Sequence, residues 1–153
     1  MFSLFTTSKK EQRQPSVVKK PSKPRFAARL IVVKRHADWC AASKVMTPVF
    51  NDLKNRFDGR EVLFVDFNYT NNTSRYQSDL LATALGVDRS VKKHAGTGFI
   101  LLIDAETKQV IEKFTRRQSF EEMVNLLKDR LLESLEREKI IAQLQQEAAG
   151  KGK

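Results

Sequence analysis

The run "ARLIVVKR" passes within a few residues into "CAASKVMTPVFNDLKNRF", and that junction constrains the fold more than any other feature of the chain. The first stretch is a block of branched apolar residues, the pattern of a buried strand. The second has helical spacing through Val45, Val49, Leu53 and Phe57. "EVLFVDFN" follows as a second strand, with the apolar density of a central one. "NTSRYQSDLLATALG" reads as a helix capped by Asn72 or Thr73 and stopped by Gly86. "GFILLID" and "QVIEKF" flank the turn "AETK" and predict an antiparallel hairpin. The last helix opens near Ser119, where an acid three residues on makes a capping box. Strand, helix, strand, helix, hairpin, helix predicts an α/β layer: a central mixed β-sheet flanked by helices, its first strands parallel and its last antiparallel.

A chain of 153 residues fits one domain. Its longest apolar runs, "LIVV" and "FILLI", fall far short of the roughly 20 residues a membrane-spanning helix needs, so a soluble protein is expected. The net charge of +10 is unevenly spread. Residues 1–35 hold ten Lys and Arg against one acid, and residues 36–153 hold eighteen against seventeen. The basicity therefore belongs to an arm, residues 1–26, rich in Ser, Pro, Lys and Arg and expected to be disordered. It suits an anionic membrane surface or nucleic acid. It lacks the apolar stretch of a secretory signal, so a cytoplasmic protein is expected, although its basic, nearly acid-free composition leaves organelle import open. The domain is expected over 27–132. A C-terminal extension, 133–153, continues the last helix with apolar residues at Leu135, Ile141 and Leu144, as a frayed end, a docking helix or a homodimer seam.

One cysteine, Cys40 in "HADWCAAS", rules out a disulfide within the chain and a cysteine-rich zinc site. At the first turn of a helix its thiolate is favoured by unsatisfied backbone N–H groups and the helix dipole, with Lys44 adding a cation one turn on, so Cys40 is expected to be nucleophilic.

The segment from about Arg29 to Leu132 resembles the thioredoxin family. Trp39, Cys40, Lys44 and Pro48 match that family's active-site motif, with Ser43 where its second cysteine would stand, a Cys-x-x-Ser variant. In "GTGFILLID", Gly98 occupies the place of the family's cis-proline. The family's buried acid and the lysine that approaches it correspond here to Lys34 and Asp66, the charges exchanged. The resemblance implies a thioredoxin-like fold with thiol–disulfide exchange through Trp39, Cys40 and Ser43, tuned by Lys34, Asp66 and Lys44. It also implies a client groove at Trp39, Thr97 and Gly98. A serine oxygen cannot resolve a mixed disulfide but can donate a hydrogen bond to the thiolate. The expected chemistry is therefore monothiol, on protein or low-molecular-weight disulfide clients, with no cofactor and with an external thiol such as glutathione as resolving partner. Two alternatives stay open: a non-catalytic client-binding module, and an iron–sulfur or metal carrier that uses room left beside the sulfur by Gly98. His36 is expected to pack or face solvent rather than act as a base, and His94, in "RSVKKHAG", to flank the groove. Neither has ligand spacing, and no metal role is assigned.

Overall fold

The computed structural model describes residues 27–151, so the basic arm read from the sequence lies outside the described residues. Strand β1 (Leu30–His36) leads through a short turn into helix α1 (Ala41–Arg56), and β2 (Val62–Asn68) returns parallel to β1. Helix α2 (Asn72–Leu85) and a short α3 (Asp88–Lys92) precede the hairpin of β3 (Phe99–Asp104) and β4 (Val110–Phe114). Helix α4 (Phe120–Gly150) ends the fold. The sheet order is β2-β1-β3-β4, with β1 antiparallel to β3 and β3 to β4. This is the expected mixed sheet, with a parallel first pair and an antiparallel end.

The period of two along β1 divides the core. Leu30 and Val32 pack with Met46, Phe50 and Leu53 of α1 and with Met123, Val124 and Leu127 of α4. Ile31 and Val33 point the other way, toward Phe67, Ala82 of α2 and Val91 of α3. The two residues that end the apolar run, Lys34 and Arg35, are both buried, one on each face.

Two local details differ from expectation. The α2 cap is Asn71, one residue before Asn72. Its backbone is extended, and its side-chain oxygen accepts the Ser74 N–H at 2.9 Å. Between α2 and β3 lies α3, which the sequence reading did not include and whose single turn is too short to show apolar periodicity but buries Ser90 and Val91. Gly86, at φ 72°, closes α2 as expected. The Ser119–Glu122 capping box is complete. Helix α4 has 31 residues, about 46 Å at 1.5 Å per residue. Arg29 pairs with both Glu61 and Glu138, tying the middle of α4 to the body of the domain. Further along, Ile140, Ile141 and Leu144 are exposed. Among the described residues no helix is long and apolar enough to cross a membrane.

Candidate thiol site

Cys40 is the N-cap of α1. Its N–H donates to the Ala37 carbonyl at 3.0 Å, and its own carbonyl accepts the Lys44 N–H at 3.3 Å. The Cys40 side chain is partly exposed. Ser43, one turn on, is only 2 % exposed. Its Oγ accepts the buried Ala37 N–H at 3.2 Å, which leaves its hydroxyl proton for the sulfur. Donation from the Ser43 hydroxyl, and next from the Thr97 hydroxyl, brings the Cys40 thiol down from 9.0 to about 7; partial burial opposes this, and the N–H groups of Ser43 and Ala42 assist it. Neither Lys44, which is exposed, nor Lys34 is among the groups that lower it. The anion is held by dipoles at the helix start rather than by a neighbouring cation.

Beneath α1, Lys34 is 5 % exposed and sits in register with Asp66 on β2. Its Nζ lies 3.1 Å from Asp66 Oδ2, 3.5 Å from Thr47 Oγ1 and 5.2 Å from the Phe50 ring centre. The exchanged charges thus form an ion pair, and Lys34 does not run out to solvent. The other oxygen of Asp66 is 2.6 Å from His36 Nδ1, and His36 Nε2 is 3.7 Å from Asp38 Oδ1. His36 therefore joins a polar chain instead of packing against the motif. Asp66 is 46 % exposed on its side chain, so this chain is anchored inside at Lys34 and opens to water at the carboxylate.

Gly98 is held at φ 86°, its N–H donating to the Arg35 carbonyl at 2.8 Å. Proline, fixed near −65°, cannot adopt that conformation, and no cis peptide occurs among the described residues. A Cβ at Gly98 would lie 2.5 Å from Ala42 Cβ and 3.1 Å from the Ser43 nitrogen. The expected room beside the sulfur is therefore not there. The loop uses glycine to come close to the helix start, and Ala42 fills the space. Trp39 is 67 % exposed, with its indole N–H donating to the Thr70 carbonyl at 3.1 Å while the Thr70 hydroxyl accepts the Asp38 N–H at 3.0 Å. Thr70 escaped the sequence reading because nothing in its neighbourhood marks a loop-to-loop clasp. Trp39 and Thr97 also border a cavity of about 380 Å³ over Arg35, a residue the sequence reading passed over. His94 enters this region through its backbone carbonyl, which accepts from Arg35 Nη1. Among the described residues no group of three or more His, Cys, Asp or Glu could hold a metal ion.

A parallel strand pair that delivers a lone, dipole-stabilised thiol to a helix start, beside a glycine-tightened loop, defines an α/β thiol-bearing domain. The thioredoxin family model matches residues 9–80, a stretch that carries Lys34, Trp39, Cys40, Ser43 and Asp66 and stops short of Gly98. Together with the sheet order found here, that match supports a thioredoxin-like family for this chain. Similar solved structures include a thioredoxin mutant from Halobacterium salinarum, 17% identical with a TM-score of 0.44, over 68% of this chain and 76% of that one. Another, described as a malarial protein, is 20% identical with a TM-score of 0.44, over 67% of this chain and 97% of that one. The oxidised thioredoxin of Plasmodium falciparum is 9% identical with a TM-score of 0.41, over 67% and 81%. No curated protein matches the sequence.

Proposed function

We propose that this chain carries out monothiol thiol–disulfide exchange through Cys40. The thiolate attacks one sulfur of a client disulfide or glutathionylated thiol. A Cys40–client S–S bond forms, the original S–S bond breaks, and the departing sulfur takes a proton from water. A second, external thiolate, such as that of glutathione, then attacks the Cys40 sulfur of the adduct and releases the client as a reduced thiol. A further glutathione thiolate attacks the glutathione sulfur of the resulting Cys40–glutathione adduct, forming glutathione disulfide and releasing Cys40 as its thiolate. Ser43 has no sulfur with which to take that second step and serves as a hydrogen-bond donor to the anion. The observation that carries the reading is a Cys40 thiol brought down to about 7 by Ser43 and Thr97 at a partly exposed helix start, so that about half is thiolate at neutral pH. The test is to form the glutathione adduct of Cys40 and follow its release by excess glutathione, alongside the thiol's titration. Release with turnover and a depressed pKa are expected. An ordinary thiol pKa with no turnover would overturn the reading. A second reading, a client-binding module in which Cys40 is idle, is favoured by the exposed Trp39 face and would be left standing by that result.

A further inference from the structure

We propose that the cavity bordered by Trp39 and Thr97 is a carboxylate subsite, which selects disulfide clients bearing an acidic side chain close to the reacting sulfur. The inference deepens the exchange reading and rests on it.

Arg35 forms the floor of this cavity and is 9 % exposed. Its Nη1 donates to the carbonyls of Val91, at 2.8 Å, and His94. Its Nε is buried with no partner, and its Nη2 makes no hydrogen bond among the described residues. The guanidinium lies 4.4 Å from the Tyr69 ring centre and 5.8 Å from that of Phe99. Two aromatic faces and two carbonyls orient a cation but do not neutralise it. No carboxylate among the described residues comes within 4.0 Å of Arg35, and burial pulls its pKa down while leaving it charged. Arg75 stands over the same Tyr69 ring at 6.0 Å, also without an ion pair among the described residues. Two guanidinium groups near one ring, neither with a carboxylate within 4.0 Å among the described residues and with Asp79 of the same cavity acting on Arg35 only from farther away, form a seat that an anion would complete.

The charge on the walls sets which anion. Three cations line the cavity, Arg35, Arg75 and Lys92, against two acids, Asp79 and Asp88. That balance suits one negative charge and opposes a multiply charged phosphate. The volume is near the lower end of small-ligand sites, which matches a side chain rather than a whole cofactor. The connection to the thiol is Trp39 and Thr97: both border the cavity, Trp39 directly precedes Cys40, and Thr97 directly precedes Gly98, which packs against Ala42 and Ser43 at the helix start. A client sulfur at Cys40 would therefore place its neighbouring side chain beside Trp39 and over Arg35.

The test uses the full chain and two peptides of equal length with amidated C-termini, each capped at its cysteine as a mixed disulfide with uncharged 2-mercaptoethanol, one with Glu and one with Gln beside the cysteine. Cys40 should attack the Glu peptide about tenfold faster, as a charge-assisted contact at a half-open site implies, and the preference should shrink as salt rises. Arg75→Ala, an exposed change compatible with folding, should reduce the Glu-over-Gln preference several-fold. Trp39, the chain's only tryptophan, gives a second readout in Cys40→Ser, where its fluorescence should respond to the Glu peptide and not to the Gln peptide. Equal rates on the two peptides with a reactive Cys40 would overturn the subsite and leave the exchange reading intact, Arg35 then being satisfied by its rings and carbonyls. A fluorescence response confined to the Glu peptide, with Cys40 inert, would support the subsite while overturning exchange.

Discussion

Replacing Ser43 by Ala removes the group that does most to hold the Cys40 thiolate while leaving the backbone N–H groups in place. Four donors share a depression from 9.0 to about 7, with Ser43 the largest, so its loss should raise the pKa by about one unit, roughly half of the whole. At pH 7 the thiolate fraction would then drop from about one half to about one tenth. The less stabilised anion is also the better nucleophile, by about threefold per unit of pKa for a Brønsted slope of 0.4–0.5. The two effects oppose each other. Alkylation by iodoacetamide should be about twofold slower at pH 7 and about threefold faster above pH 9, with the two rate–pH curves crossing near pH 7.6. The assay is the alkylation rate from pH 5.5 to 10, with thiolate absorbance titrated in parallel. Superimposed curves would refute the argument and assign the anion's stability to Thr97 and the backbone. Stability is a separate readout: the buried Ala37 N–H loses its acceptor, which should cost about 1–3 kcal/mol.

Ser43→Cys supplies the missing sulfur and should confer measurable insulin-disulfide reduction; no gain would mean that Lys34 or the Gly98 loop blocks the dithiol cycle independently. Gly98→Ala should lower the unfolding free energy by about 1–3 kcal/mol, through both the positive φ and the contact with Ala42, and adding Ala42→Gly should recover part of that loss. A double-mutant cycle on Lys34→Met and Asp66→Leu should show coupling above about 0.5 kcal/mol, whereas additive effects would dismiss the pair. A thiol whose pKa is lower folded than unfolded adds stability above its unfolded pKa and loses it as pH falls through the folded one. The stability advantage over Cys40→Ser should therefore grow between about pH 7 and pH 9, and a flat difference would contradict the depressed pKa.

The sheet was legible because its strands are apolar runs of the right length and its connections alternate cleanly with helices. The pairing of Lys34 with Asp66 was expected from the family resemblance alone, and the two stand opposite each other on the parallel strands β1 and β2. What stayed hidden depends on through-space approach. His36 joins Asp66 because both stand at the open end of neighbouring strands, although they are 30 residues apart. Thr70 clasps Trp39 across a similar gap in sequence. Gly98 was read as leaving space because glycine lacks a side chain, whereas its partner uses that lack to come closer. Arg35 did leave a signal. Lys34 and Arg35 end one strand, and the period of two sends one to each face, so a second buried cation was written into "VVKR".

That second cation bears on how a site with one sulfur can be selective. In a dithiol protein the adduct is short-lived, because an internal thiol resolves it. With Ser43 in that position, the proposed Cys40 adduct persists until an outside thiol arrives, and clients are distinguished by how fast they form it. The thiolate itself cannot discriminate, since its hydrogen-bond donors set how much of it is ionised and not which disulfide it meets. Discrimination has to come from groups that touch the client beside the sulfur. In the proposed subsite those groups are the exposed indole of Trp39, which directly precedes Cys40, and the guanidinium of Arg35, which has no carboxylate within 4.0 Å among the described residues. Lys34 and Asp66 lie beneath α1, on the other face of the sheet, where they can affect how firmly the helix start is held but cannot contact the same client side chain. Mutations at Lys34 should therefore change stability without changing the Glu-to-Gln preference, and mutations at Arg75 should do the reverse.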